Sequence, residues 1–587
     1  MGRVYQGGAH RHRTTPRGTL APVGPRRKHR QSFGLSQGLF VVVGMLGLGI
    51  IGVGVWRFTA PVPAAALSSD RPSPPPGPSS GVVDLASPAP DATGVAATTA
   101  LCPGCDILLI TACSLRKDHI GAYGLFPALT PAADELADGG VRFDRAFAAS
   151  NFTLASLTAV LTGRFGSSSG VTGWDKGLGD GVPTLAEVLG IYGYRTGAFS
   201  VDAPSGFRPD YGLHRGFQVM KVIATPRDTP DGRWRGGPIG PGGASAEPVV
   251  QWLEDSTRTP QQSLFTMFHT RTAHFPFVIE EDTSDPTGIS QGLWEAGRTP
   301  VAPPSGGAMP GMAGGTAQQG VVELAGVDPL QTTLQTGGPA AEAMWRQRYQ
   351  EAVGRMDTDL RRVLDALEAA GRADRTIVVL VGDHGESLND HGEMLHGDAY
   401  YTSVSNVPLL MKVPGLSGGP AVQGALVSHV DIPPTLLELI GATAPADIDG
   451  VSMVPLLTGQ ATAIRSTTLV EGGVAKQNTD VLRGAVITDR WALLRQQRGC
   501  GAPPKPGPGG RWEPMDCLFD LNVDMAQEHN VAAAHPDVVQ ELLGRWSAFR
   551  SARQSSARQF DLDPAFVEEL QRTGYDLHKD PVEPGPQ

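Results

Sequence analysis

The first 57 residues contain no aspartate or glutamate, although nine lysines and arginines fall among them. The remainder carries 39 basic against 59 acidic residues, so the basic surface that nucleic-acid binding requires is missing from the body of the chain. Charge of either sign is absent from Gln31 to Trp56, and Gly38 to Trp56 is a continuous run rich in Leu, Val, Ile and Gly. Large apolar side chains are scarce from Ala60 to about Ala100, where Pro, Ala, Ser and Gly dominate, which excludes a packed core there. Cysteines number only five, and no internal repeat is present.

The apolar run approaches the ~20 residues that a helix needs to cross a bilayer. Arg26, Arg27, Lys28 and Arg30 precede it, an excess that the positive-inside rule keeps in the cytoplasm. A cleavable signal peptide is the rival, with Ala64, Ala65 and Ala66 as its cleavage site, but the run exceeds the usual ~7–15 apolar residues. The expectation is therefore a basic cytoplasmic tail over 1–37, an uncleaved transmembrane anchor over 38–56 and an extended linker over 57–101. The body would then lie outside the cell membrane of a single-pass protein, with the membrane reached through that one N-terminal helix.

With 40% apolar residues, the rest has material for a large core. Ile107 to Thr111, Thr196 to Val201, Leu264 to His269 and Ile377 to Val381 are short apolar runs of the buried-strand type. Helical patterns at Thr130–Asp138, Thr184–Ile191 and Ala343–Ala370 separate them, which predicts a mostly parallel sheet covered on both faces. A Gly/Pro/Met-rich stretch from Thr299 to Pro339 reads as a long insertion, either a lid or a disordered segment. After Pro455 the pattern becomes short extended pieces (Thr468–Glu471, Leu482–Ile487, Trp491–Arg495) and a helix around Val538–Phe549. These bound an α/β domain over 102–455, a smaller antiparallel C-terminal subdomain over 456–552 and a tail over 553–587.

Ligands of open α/β sheets gather beyond the carboxyl ends of the strands. Cys113 and Ser114 follow the first run, His269 and His274 the third, and Asp383 and His384 the fourth. The segment DHGESLNDHGEMLHG packs seven acidic or histidine side chains between Asp383 and His396, and its place after a buried strand favours metal or anion chemistry over a solvated loop. In Asn151 to Gly163, Thr153 and Ser156 stand where a helix opens. There Thr153 is either an N-cap or a nucleophile in the positive end of a helix dipole, and the pattern alone leans to the cap.

Several segments in order resemble the sulfatase branch of the alkaline-phosphatase superfamily. They are DILLITACSLRKDHIGAYG, TLASLTAVLTGR, VPTLAEVLGIYGYRTGAF, FHTRTAHFPF, VVLVGDHGESLNDHG, VDIPPTLLELIGA, DGVSMVPLL and CLFDLNVDMAQEHNVA. The resemblance implies an alkaline-phosphatase-like α/β/α sandwich, a divalent cation, and hydrolysis or transfer at sulfate or phosphate esters. It places Thr153 at the nucleophile position and Asp383 and His384 at the metal pair. His274 and His396 match histidines that contact the ester, with His269 and Ser156 as further substrate contacts. Cys113 stands where the family has its first metal-binding Asp, with Ser114 beside it. Leu157 and Ala155 replace the family's Arg or His and its Pro, so no formylglycine is expected at this site. A thiolate beside Asp383, His384 and Thr153 favours a zinc-like ion over calcium or magnesium, which prefer oxygen ligands. The implied activity is a metal-dependent ester hydrolase with Thr153 as nucleophile. The alternatives are a phosphoethanolamine- or phosphoglycerol-type transferase, or a binding protein that keeps the fold without catalysis.

Export would permit disulfides. Cys500 and Cys517 flank a Gly/Pro-rich loop and are expected to pair; Cys102 and Cys105 in CPGC either bridge locally or stay reduced, and Cys113 is expected to stay unpaired.

Overall fold

The computed structural model describes residues 100–559, apart from 125, 127–128, 201–205, 223–245, 276, 278–326, 397–399, 417–418, 473–482, 497–499, 501–504, 507–511, 514 and 554–556. The chain divides into two units, 1–75 and 76–587, and every described residue belongs to the second. Among the described residues no helix is long and apolar enough to cross a membrane. The 38–56 run, the basic tail and nearly all of the linker lie outside them.

Eight strands form the main sheet: β1 (Asp106–Ala112), β2 (Val141–Phe147), β3 (Arg195–Ser200), β4 (Val219–Val222), β5 (Leu264–Thr270), β6 (Thr376–Gly382), β7 (Leu409–Lys412) and β8 (Val422–Ser428). Their spatial order is β8-β2-β7-β6-β1-β5-β3-β4. Only β7 runs against its neighbours, pairing antiparallel with β2 and β6; the other ladders are parallel. The four apolar runs of the sequence are the contiguous centre of this sheet, β6-β1-β5-β3.

Continuous apolar strands suit this position because both faces are covered. Ile107 and Leu109 of β1 point to one core with Phe265, Met267, Val379 and Val381, while Leu108 and Ile110 point to the other with Leu264, Phe268, Val378 and Leu380. The first face is closed by α2 (Thr153–Thr162), the helix Leu185–Ile191 and the helix Ile432–Ile440; the second by α1 (Pro131–Asp138), the helix Glu247–Ser256 and the long helix Val327–Ala369. The result is the α/β/α arrangement expected.

The long helix begins at Val327 and bends at Gly338, so the last part of the Thr299–Pro339 stretch is helical, and the expectation of a lid or a disordered segment is corrected there. Residues 299–326 lie outside the described residues.

A separate antiparallel sheet, β9 (Thr467–Glu471), β10 (Gly484–Thr488), β11 (Trp491–Gln496) and β12 (Met515–Asp520), forms the C-terminal part in that order. One face buries Val539, Leu542, Trp546 and Phe549 of the helix Pro536–Ser551; the other packs on Tyr400, Tyr401 and Phe147 of the main body. Beyond the subdomain, Arg558–Gln559 adds a two-residue ladder to Lys176–Gly177, so part of the expected tail is anchored on the body. Cys500–Cys517 and Cys102–Cys105 are both disulfides, and Cys113 is free and buried.

Candidate functional site

The register of the central strands lines up the ends that carry polar residues. Ala112 stands beside Thr270 on one side and Gly382 on the other, so the chain leaves the sheet at Cys113, Arg271 and Asp383 in neighbouring positions. Two backbone hydrogen bonds hold this edge, from Cys113 N–H to Thr270 O at 2.8 Å and from Asp383 N–H to Ala112 O at 3.2 Å. Ser114 takes a left-handed conformation (φ 59°), uncommon for a residue with a Cβ. Its turn is fixed by Tyr349, whose hydroxyl donates to Ser114 O at 2.7 Å and accepts from Arg116 N–H at 2.8 Å.

Above this edge opens α2. Its N-cap is Phe152, and Thr153 is the first helical residue, so the threonine hydroxyl does not cap the helix. The helix itself ends at Gly163 in the left-handed region that favours glycine. Thr153 Oγ1 lies 3.4 Å from Cys113 Sγ and 3.3 Å from His384 Nε2. The other ring nitrogen of His384 is 2.9 Å from Gly385 O, a contact in which Nδ1–H donates and Nε2 is left as an acceptor. Glycine is required at 385 because a Cβ there would overlap the Ser403 carbonyl.

Asp383 Oδ1 accepts from Ser114 N–H at 3.1 Å and His384 N–H at 2.7 Å, and its Oδ2 stands 3.6 Å from His384 Nε2. His269 Nδ1 is 2.9 Å from Thr111 Oγ1. Donor atoms of Cys113, His269 and Asp383 lie within 4.8 Å of one another, all from buried residues. Within this group His269 Nε2 and Asp383 Oδ2 are buried polar atoms without a hydrogen-bond partner, which is costly unless something else engages them. These three side chains offer the sulfur, nitrogen and oxygen donors with which a divalent metal ion could be held. His269, expected to touch substrate, is thus brought to the metal side of the site.

His396 Nδ1 is 2.9 Å from Glu386 Oε1, and its ring lies 4.1 Å from that of His384 and 5.2 Å from that of His274, centroid to centroid. His274 Nδ1–H donates to Phe275 O at 2.7 Å, and its Nε2 accepts from Arg271 Nη2 at 3.1 Å. A single arginine in TRTAH carries no pattern in the sequence; the strand register is what brings Arg271 to the site. Its loop is tied down by Thr272, whose hydroxyl donates to Asp359 Oδ2 of the long helix at 3.0 Å. Ser156 is nearby but its hydroxyl donates to Ser150 O at 3.0 Å, and Ser114 meets the site through its main chain. Asp390, His391 and Glu393 of the acidic run stay outside; Asp390 pairs with Arg116 at 2.5 Å.

Burial dominates the electrostatics. It holds His384 and His269 down at about 4 and His396 at about 3, with His274 also well below its usual value, so the rings are neutral near pH 7. Burial, reinforced by the Asp383 charge, pushes the Cys113 thiol well up. Burial would raise Asp383 too, but His384, His269 and the His384 N–H hold it below its usual value. Glu386 is pushed up to about 8 by burial. The guanidinium of Arg271 is the fixed positive charge beside these groups.

Residues 106–442 match the family described as Sulfatase, and residues 394–498 match a second described as N-sulphoglucosamine sulphohydrolase, C-terminal. Arylsulfatase K of Xenopus laevis is 30% identical over 207 residues, which cover 34% of this chain and 35% of that protein. The chain thus spans about a third of the length of this relative. Delta 4,5-hexuronate-2-O-sulfatase of Bacteroides thetaiotaomicron is 24% identical over 374 residues, 60% of this chain and 72% of that protein. Among solved structures, the phosphonate monoester hydrolase of Agrobacterium radiobacter shares the fold at TM-score 0.55 and 21% identity, covering 76% of this chain and 95% of that one. A 2-O GAG sulfatase does so at TM-score 0.55 and 20% identity, covering 81% and 98%. The matched segment runs from β1 through the helix Ile432–Ile440, the whole of the main sheet with its polar edge, and on that ground the chain belongs to the sulfatase family.

Proposed function

We propose that this chain hydrolyses sulfate esters, with Thr153 as the nucleophile. The observation that carries the reading is the position of the Thr153 hydroxyl, buried at the start of α2 and 3.3 Å from the acceptor nitrogen of His384. Oxygen at a helix N-terminus sits where negative charge is stabilised, and a histidine base within reach makes a weak nucleophile competent. The Thr153 proton passes to His384 Nε2 while Oγ1 bonds to sulfur. The bond from sulfur to the alcohol oxygen breaks, and that oxygen takes up the proton accepted by His384, handed on through the neighbouring His396 ring. Water then adds to sulfur as it gives a proton to His384 Nε2, Thr153 Oγ1 leaves and takes that proton back, and sulfate is released.

Arg271 is suited to hold an anionic ester oxygen, since its charge is permanent and its loop is fixed by the Thr272–Asp359 bond. A divalent ion, when bound, supplies positive charge beside the attacking and ester oxygens. Cys113 and Asp383 would hold it, and the sulfur donor favours a zinc-like ion. The names of the relatives point to sulfated uronates and aryl sulfates as substrate classes. The charge asymmetry around 38–56 supports anchorage of the body outside a cell membrane.

The test is to load the purified full chain with zinc, manganese, magnesium or calcium and offer it an aryl sulfate, a sulfated uronate disaccharide, a phosphate monoester and a phosphodiester. Metal-dependent sulfate release is expected. Preference for the phosphodiester would replace the reading with phosphoryl transfer, and no turnover of any ester would leave a binding protein.

A further inference from the structure

We propose that Glu386 is the positioning residue for His396: its carboxyl holds Nδ1–H of the ring, so that Nε2 is the nitrogen that passes the proton to the departing alcohol oxygen. The inference rests on the sulfatase reading for the reaction and adds to it a residue that acts through another side chain.

The hairpin that follows Asp383 and His384 builds the contact. Its two short strands, Ser387–Leu388 and Met394–Leu395, pair antiparallel with Ser387 opposite Leu395 and Leu388 opposite Met394. Continued one step beyond the ladder, that register sets Glu386 opposite His396. Residues directly opposite each other in an antiparallel pair present neighbouring side chains on one face. Here Glu386 Oε1 meets His396 Nδ1 at 2.9 Å, and both residues are fully buried. Arg116 braces the carboxyl end of this pair: its Nη1 donates to Glu386 O at 2.8 Å, and the same guanidinium pairs with Asp390 between the two strands. The main chain of His396 is held separately, by Asn151 Nδ2–H donating to His396 O at 3.1 Å. Asn151 stands two residues before Thr153, so that bond fixes His396 relative to the nucleophile.

Glu386 Oε1 accepts from Nδ1–H whether the carboxyl is charged or protonated, and a hydrogen bond at one ring nitrogen decides the role of the other. Nε2 is thereby the nitrogen with the lone pair. The His396 ring lies 4.1 Å from that of His384, centroid to centroid, and so next to the group that takes the Thr153 proton. Nε2 accepts that proton from His384 and releases it to the alcohol oxygen as the sulfur–oxygen bond breaks. Nδ1–H stays with Glu386 throughout, and the carboxyl gains and loses no proton. Without the carboxyl, neither the ring's orientation nor its tautomer would be set.

Two aryl sulfates that differ in their need for a proton test this on the zinc-loaded full chain: para-nitrophenyl sulfate, whose phenolate leaves readily, and phenyl sulfate, whose phenolate does not. Glu386→Ala should lower kcat for phenyl sulfate by about 10²-fold, as misplacing a proton-transfer group does, with KM little changed. For para-nitrophenyl sulfate the loss should be much smaller. Glu386→Gln, whose amide oxygen still accepts from Nδ1–H, should recover most of the loss on phenyl sulfate. Nitrogen NMR of the full chain with ¹⁵N-labelled histidine reads the contact itself, the His396 signals being those missing from His396→Gln. Wild type should carry its ring hydrogen on Nδ1, and Glu386→Ala should lose that signature. Near-UV circular dichroism of each variant separates a displaced ring from misfolding. An equal loss on both esters, or no loss, in folded Glu386→Ala would overturn the assignment, as would a wild-type His396 with its hydrogen on Nε2. A wild type that turns over no ester would sink the hydrolase reading, and the NMR signature alone would then uphold or overturn the hold of Glu386 on His396.

Discussion

Thr153 Oγ1 and His384 Nε2 are 3.3 Å apart although 231 residues separate them in the chain. The pairing arises because α2 opens over the strand edge from which Asp383 and His384 emerge. If His384 accepts the threonine proton, His384→Ala should lower kcat by about 10²- to 10⁴-fold, with a small change in KM. Steady-state kinetics on an aryl sulfate measure this; an unchanged kcat would remove His384 from the chemistry.

Arg271 reaches His274 and stands next to the strand edge at Cys113 and Asp383. Its replacement by Gln should lower kcat/KM by about 10²- to 10³-fold, as loss of a preorganised donor to a charged oxygen does. Arg271→Lys should recover part of this. Equal activity of all three proteins would show that the guanidinium only shapes the loop.

Glu471 is a buried carboxyl at the join between β9 and the C-terminal helix. Oε2 accepts from Ser167 N–H at 2.7 Å and Oε1 from Trp546 Nε1–H at 3.2 Å. Burial raises its pKa, and those hydrogen bonds oppose the rise. The folded protein therefore holds this proton more tightly than the unfolded chain does. Its favourable linkage is complete below the unfolded value of about 4.3 and is lost as pH rises through the raised folded value. Glu471→Gln should flatten the fall of Tm with rising pH above that point. Parallel Tm profiles for variant and wild type from pH 4 to 8 would contradict this.

Arg465 and Asp431 form a buried bidentate pair, with Nε to Oδ2 at 2.9 Å and Nη2 to Oδ1 closer still. Asp431 also accepts from Ser428 and Val451 N–H groups, so it ties the end of β8 to the approach to β9. Arg465→Met would leave a buried carboxylate without its counter-charge and should cost about 3–5 kcal/mol in urea unfolding. A loss below about 1 kcal/mol would mean that water reaches the pair.

The four central strands were legible because they are covered on both faces and so are written as unbroken apolar runs. Strand β2, VRFDRAF, was not, because Arg142, Asp144 and Arg145 are only partly buried and break the run. Four-residue β7 is too short to stand out, and nothing in LLMK announces that it alone is antiparallel. Of the site, Cys113, Asp383 and His384 were recognisable as residues following strands. The grouping of His269 with Cys113, and the entry of Arg271, depend on which strands are neighbours and in what register, relations between distant segments that local pattern does not contain.

Sulfate release from an aryl sulfate by the zinc-loaded full chain, compared between wild type, Thr153→Ala and Thr153→Ser, tests the central claim most directly. The account predicts that Thr153→Ala keeps its fold and metal but loses at least about 10³-fold in kcat, while Thr153→Ser, which retains a hydroxyl, keeps substantial activity. Turnover by folded, metal-loaded Thr153→Ala at the wild-type rate would contradict it.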